Sequence, residues 1–287
     1  MFSTPEFDTD SLFINVGLFI EKNIGKEKWL QITDDKKISI IKQVAKVIEE
    51  NVNDKSYREI QRKTYNSSET DFRIKFKQEI IAKSVLFVKK KKYSCWIIEE
   101  EGASVDYIKT TGLEIVRSDT PEIVRPFLKD IITMILKGSS DYEISDKVQK
   151  VKKDLLASIP EEISTNIGVH ELSKYIGVNN LCKKGTPMHV KSVANYRSLL
   201  NILKLEDKYE DIVDGTKVKV VYLKKNKFGF ESMAFLRWPT EFDKVIQIDY
   251  NKQVEKTFTN KISILLEPMN KLNIMNGKIK EVIGLFF

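Results

Sequence analysis

Residues 7–14 read FDTDSLFI. Two carboxylates, Asp8 and Asp10, stand one residue apart and are followed at once by an apolar run. Residues 11–16, SLFINV, carry the β-branched and aromatic side chains that suit a strand. Pro5 lies just upstream, so the spacing predicts a short first strand and a hairpin turn holding both carboxylates at the end of two strands. Turns on a rigid scaffold commonly carry functional groups. Taken alone, the pair reads in two ways. It suits an Asx-rich turn between strands. It also suits Mg2+, because hard divalent cations take carboxylate oxygens and a two-metal site steadies both the attacking and the leaving oxygen of a phosphoryl transfer. The second reading needs at least one further carboxylate from another strand.

Further along, residues 72–100 are rich in β formers and are read as strands, with the basic block Lys89–Lys92 between them. The segment FVKKKKYS, residues 87–94, again has two readings. Lysines on an edge strand keep that edge from pairing with other chains. Alternatively they meet phosphates. Strand alternation then puts Lys91 and Tyr93 on one face and Lys90 and Lys92 on the other, with the tyrosine against sugar or base edges.

Helical periodicity appears at residues 34–50, where Ile38, Ile41, Val44, Ala45 and Ile48 share a face and Thr33 or Asp34 caps the start. A polar helical or irregular segment over 54–66 leads into a loop, NSSETD. Thr120, Pro121 and Glu122 have the chemistry of a cap, a first helical residue and a first-turn acid. The apolar face is then Val124, Phe127, Leu128, Ile131 and Ile135, closed by Gly138. Pro126 inside this pattern predicts a kink or a later start. A lysine-rich helix is expected over 142–158, closed by Pro160, with shorter helices near 169–178 and 190–205. Residues 216–223 and 231–236 form a hairpin pattern across Asn226–Gly229, and a last helix covers 248–265. The best domain boundary falls near 105–112.

The chain has 287 residues, enough for two domains, with 31% charged and 41% hydrophobic residues. No apolar run approaches the length of a membrane span, and the acidic start is not a secretory signal. The net charge of +7 suits a polyanionic partner such as nucleic acid. Cys95 and Cys182 are too few for a disulfide scaffold or a structural zinc site, which suggests a reducing, cytoplasmic setting. His170 and His189 are the only histidines, and neither a Gly-rich phosphate loop nor a GxSxG elbow is present.

In order along the chain, these segments resemble the C-terminal third of a family B DNA polymerase of the T4-like phage type. Asp8-Thr9-Asp10-Ser11 resembles the second catalytic aspartate motif of the palm, with Glu6 standing where that family usually has a tyrosine. Lys90-Lys91-Lys92-Tyr93 resembles the KKxY motif between palm and thumb. Lys109–Pro121 resembles the thumb entry. Further matches are His189, Val190, Tyr196 and Arg197, then Asp214-Gly215 with VKVVYLKK, then Trp238-Pro239, and Tyr250 with EKTF. The end, Val282-Ile283-Gly284-Leu285-Phe286-Phe287, resembles the sliding-clamp peptide of these polymerases.

The resemblance implies an α+β fold: a partial antiparallel palm sheet with helices, followed by a mainly helical thumb containing a small β-hairpin. It implies the end of a palm over residues 1–108, a thumb over 109–276 and a clamp-binding tail over 277–287. It implies Asp10 and Asp8 as catalytic and metal-binding residues, with two Mg2+ ions shared with a partner chain. Lys90, Lys91, Lys92, Tyr93, Lys109, His189, Lys191 and Arg197 would touch DNA. Val282, Leu285, Phe286 and Phe287 would meet a sliding clamp. The other palm motif, the fingers and the exonuclease are not in the sequence, so a split polymerase is expected, with an N-terminal fragment as partner and primer-template DNA and dNTP as ligands. A non-catalytic DNA-binding or processivity subunit derived from a polymerase is the alternative.

Overall fold

The acidic stretch is flanked by two short strands that pair. In the computed structural model, which describes residues 3–7, 11–65, 75–113 and 120–277, β1 (Ser3–Phe7) runs antiparallel to β2 (Leu12–Asn15), with Phe7 opposite Leu12 and Glu6 opposite Phe13. The chain divides into two compact units, Met1–Thr111 and Gly112–Phe287.

In the first unit, α1 (Gly17–Ile24) and α2 (Lys26–Gln31) meet at Gly25, whose φ of 90° is open to glycine and strained for other residues. Helix α3 spans Asp34–Glu50, the range its periodicity predicts. Thr33 precedes it in extended conformation, and Asp34 and Asp35 place negative charge at its positive end. The helical path continues with π-type turns around α4 (Arg58–Ile60) to Tyr65. The predicted NSSETD loop lies outside the described residues. Asn53 then grips the incoming strand by both backbone groups of Phe76, at 2.8 and 2.7 Å.

The β formers after residue 75 build a three-stranded antiparallel meander: β3 (Ile80–Lys89), β4 (Lys92–Glu100) and β5 (Ala103–Thr111). Strand β5 runs through the segment 105–112 that composition suggests as a boundary. Its polar edge pattern hides its pairing with β4, where Cys95 lies opposite Lys109. Ile81, Leu86, Val88, Cys95 and Ile97 are buried. Glu99 is buried with them and is fully engaged. It accepts from Gln78 Nε2 at 3.0 Å and from the Gly102 amide at 2.5 Å, and its carboxylate lies 3.5 Å from Lys42 Nζ on α3. A buried carboxylate of this kind has to be satisfied on every side, so it fastens α3 to the sheet.

In the second unit, α5 begins at Val124 and runs to Leu136. Pro126 is the reason for the later start: it lacks an amide and fits only a first turn, so Thr120–Ile123 stay outside the helix. Helix α6 (Asp141–Leu156) starts with a capping box in which Ser140 Oγ accepts from the Glu143 amide and Glu143 accepts from the Ser140 amide. Ser140→Ala is expected to cost about 1 kcal/mol of stability, read from a denaturant titration. Pro160 ends this region by opening the short α7 (Pro160–Ile163).

The predicted hairpin is present as β7 (Lys217–Tyr222) and β8 (Ser232–Phe235). A third strand, β6 (Thr165–Gly168), pairs with β7, with Ile167 opposite Val218. The short α8 spans Leu172–Tyr175. Helix α9 (Met188–Leu203) lies against this sheet, and Val190, Val193, Tyr196, Leu199 and Leu200 join Val218, Val221, Phe235 and Phe242 in the core. Trp238 is wedged edge-on between Phe235 and Phe242, at 5.1 and 5.8 Å, and its indole donates to Asp243 at 2.9 Å. The last predicted helix is present in two pieces, α10 (Tyr250–Val254) and α11 (Asn260–Leu266), joined by a π-type turn. Buried Gln253 explains the anchoring of α10: it donates to Ile163 O at 2.8 Å and accepts from the Tyr222 amide at 3.0 Å. The α+β architecture is the one expected: an antiparallel sheet with flanking helices, then a mainly helical region with a small β element.

Candidate functional site

Three aromatic rings join the strand that follows the acidic motif in sequence to the hairpin that carries the basic block. Phe13 follows the acidic pair on β2. Its ring meets Phe87 of β3 edge-on at 5.3 Å and Tyr93 of β4 edge-on at 5.2 Å. Phe87 and Tyr93 face each other across the ladder at 6.0 Å. Edge-to-face pairs of this kind contribute about 0.5–1.5 kcal/mol each beyond area burial. Residues far apart in sequence are therefore fixed to one another: the strand leaving the acidic motif sits on the two strands flanking the lysine block. Asp8, Asp10 and the connection they occupy lie outside the described residues.

The lysine block itself is the β3–β4 turn. Lys89 pairs with Lys92, so Lys90 and Lys91 form the tip, and Lys91 has a φ of 61°. That left-handed conformation is uncommon for a residue with a Cβ and marks a tight turn. The strand alternation expected across Lys90–Tyr93 is thus broken at the turn. Lys90 and Lys91 are exposed at the tip, whereas Lys92 and Tyr93 begin β4 and are half-buried. Lys109 is exposed on β5, opposite Cys95 in the ladder. Cross-strand partners share a face, so Lys109 is on the face of Tyr93. Burial raises the Cys95 thiol, and the Lys109 charge partly offsets it.

The remaining expected contacts lie in the second unit, in the first half of α9. His189 is half-buried and Lys191 exposed. Burial and then the neighbouring His170 hold the His189 imidazole below its ordinary value, which favours the neutral ring. Arg197 is engaged within the fold. Its guanidinium takes Asp211 with both ends of the fork, at 2.7 and 2.9 Å, and donates to Ile212 O at 2.7 Å. It holds the 210–212 segment to α9, as does Tyr196, whose hydroxyl donates to Glu210 O at 3.1 Å and whose pKa burial pushes up to about 12. Val282, Leu285, Phe286 and Phe287 lie outside the described residues.

Sequence reasoning did not single out Phe13 or Phe87. The available signal was the alternation itself: both are aromatic positions on strands close to a charged motif. Among the described residues, no group of three or more His, Cys, Asp or Glu side chains is placed to hold a metal ion. Among the same residues, no helix is long and apolar enough to cross a membrane.

No curated protein matches the chain. The sequence pattern of DNA polymerase family B matches residues 8–274, beginning at the first aspartate of the acidic motif and including the basic turn, α9 and the β6–β8 sheet. That match takes in nearly the whole polypeptide, and the chain therefore belongs to DNA polymerase family B.

Proposed function

We propose that this chain supplies the end of a polymerase palm, residues 1–108, and a duplex-gripping thumb, residues 109–276, for template-directed addition of deoxynucleotides to a primer. The observation that carries this reading is the Phe13–Phe87–Tyr93 cluster, which ties the strand after Asp8–Asp10 to the hairpin bearing Lys90 and Lys91. A carboxylate motif and a phosphate-binding turn held on one framework suit a site that must place a primer end beside its reacting groups. In the reaction, the primer 3′ oxygen bonds to the α-phosphorus of the incoming nucleotide and pyrophosphate leaves.

Family B polymerases generally use Mg2+, and the oxygen donors of Asp10 and Asp8 have the chemistry this hard ion takes. These two residues would hold part of a two-ion site, with further ligands from a partner chain. When bound, the metal supplies charge neutralisation at the transferring phosphate. The roles of the chain's other residues are to bind and to orient. Lys90 and Lys91 contact the backbone of the duplex product, Lys92 and Tyr93 set the turn against it, and Lys109 adds a cation on the same sheet face. His189 and Lys191 extend the contact in the thumb. These are backbone contacts, which hold register without reading sequence.

The partner in this reading is an N-terminal polymerase fragment, as in a split polymerase of the T4-like phage type. What supports it is the surface of the first unit. The amphipathic α3 fully buries no residue, and Leu18, Leu30, Val47 and Ile60 are 60, 68, 57 and 54% exposed. Apolar faces of this kind mark interaction sites. The apolar end Val282–Phe287 would reach a sliding clamp.

The test is a salt series of duplex binding. Replacing Lys90 and Lys91 by glutamine is expected to weaken binding to a primer-template about tenfold and to lower the slope of log affinity against log salt by about 2. An unchanged slope would return the turn to a solvated edge.

A further inference from the structure

Helix α6 carries a row of side chains that none of the roles above uses. Asp141, Ser145, Gln149, Lys152 and Leu156 follow one another at spacings of three or four residues. At 3.6 residues per turn they lie in one stripe along the helix. The first four grip a segment near the end of the chain. Lys271 Nζ donates to Asp141 Oδ1 at 2.6 Å, and Ser145 Oγ donates to Ile274 O at 2.9 Å. Met275 O accepts from Gln149 Nε2 at 3.0 Å and from Lys152 Nζ at 3.3 Å. Ser145 and Ile274 are both buried. Gly277 closes this seat. Its φ is 63°, and a Cβ there would come within 3.2 Å of the Gln149 side chain. The partners on α6 advance as the segment advances, so the segment runs toward the C-terminal end of the helix.

The stripe continues past the seat and turns apolar. Leu156, one turn beyond Lys152, is 42% exposed, and Ile159, just after the helix, is 54% exposed. The sequence leaving the seat, residues 278–287, reads KIKEVIGLFF and lies outside the described residues. Its length fits the distance to these two side chains. From Gln149 to Leu156 is about 10 Å of helix. Between Gly277 and Val282 an extended chain advances up to about 17 Å. Its charge fits as well, because Lys278 and Lys280 would travel toward the negative end of α6. Burial of Val282, Leu285, Phe286 and Phe287 against an apolar surface is favourable. A segment tethered four residues away is present at an effective concentration of millimolar order, which favours it over a second copy of the chain.

We propose that residues Val282–Phe287 dock on Leu156 and Ile159 of their own chain, so that the apolar end is stored at the C-terminal end of α6 until a partner takes it. The seat at Asp141, Ser145, Gln149 and Lys152 fixes where the segment leaves the fold and aims it along the stripe. The docking needs only this surface. Its consequence, an end withheld from a sliding clamp until the clamp displaces it, rests on the clamp reading above. The same side chains cannot be buried against α6 and against a partner at once, so the two contacts compete.

The experiment follows the end of the full chain by carboxypeptidase digestion and the end of α6 by hydrogen exchange. Leu156→Gln with Ile159→Gln is expected to release Phe287 and Phe286 about tenfold faster than wild type, because a docked end is cut only when it opens. Leu156→Met keeps an apolar surface and should digest at the wild-type rate. A chain ending at Glu281 should exchange the amides of residues 154–159 severalfold faster than the full chain. Thermal melting checks that the double variant folds. If it does not, the shortened chain carries the test by itself. Equal digestion in wild type and a folded double variant, or equal exchange with and without residues 282–287, overturns the docking. Protection that falls on dilution also overturns it, in favour of contact between two copies. None of these readouts contains a clamp. The clamp reading fails separately, if removing residues 282–287 leaves clamp-dependent synthesis unchanged.

Discussion

Asp10→Ala is expected to lower nucleotide addition by on the order of 10³-fold or more in the active polymerase that contains this chain, equivalent to about 4 kcal/mol of barrier. The argument starts from charge. Phosphoryl transfer places negative charge on oxygens around phosphorus, so a carboxylate that holds a cation there acts in the transition state more than in the ground state. Asp10 has the oxygen chemistry for this, and the strand that follows it is tied through Phe13 to the hairpin proposed to grip DNA. Duplex affinity, which depends on the lysines, should stay within about twofold. Asp8→Ala is expected to have a smaller effect in the same direction. Primer extension under single-turnover conditions, with binding measured in parallel, separates the two quantities. Extension by Asp10→Ala at near the wild-type rate would remove the metal role.

The second large effect is expected at Phe13. Removing its ring takes away two edge-to-face contacts, at 5.3 and 5.2 Å, that join β2 to β3 and β4. At about 0.5–1.5 kcal/mol for each contact, on top of the area the ring buries, Phe13→Ala should destabilise the first unit by at least about 1–3 kcal/mol. If the ring also sets the position of the acidic motif, kcat should fall about 10- to 100-fold, since misplacement by about 1 Å is enough for such a loss. The KM for nucleotide and the duplex affinity should change little. A purely structural ring would give a lower melting temperature with kcat unchanged in the folded fraction. Phe13→Tyr should recover most of the rate, because the ring and its edge contacts remain. Phe13→Ala with wild-type kcat would limit the cluster to packing.

How far these sites were legible in the sequence depends on the range of the interaction that made each one. Helix α3 was readable from its apolar spacing, and α6 from Pro160 after it; its Ser140–Glu143 start closes within a single turn. Pro126 signalled either a kink or a late start for α5, and the structure begins that helix at Val124. The acidic pair and the lysine–tyrosine block were visible as motifs, and their order along the chain led to the family. Strands β5 and β6 were not visible, because an edge strand with a polar face has no strong alternation until its partner is known. The same holds for Lys90–Lys91. Alternation assumed a continuous strand, and only the pairing of Lys89 with Lys92 shows a turn.

Sequence by itself therefore determined the family, the order of the motifs and the helices that close their hydrogen bonds locally. Tertiary structure decided which side chains are committed inside the fold and which stand exposed. Arg197, one of the expected DNA contacts, is held by Asp211 and Ile212, whereas Lys191, another of them on the same helix, stands exposed. The reason is physical. A helix end or a turn is specified by residues a few positions apart, but the engagement of a charge depends on groups brought beside it by packing from elsewhere in the chain.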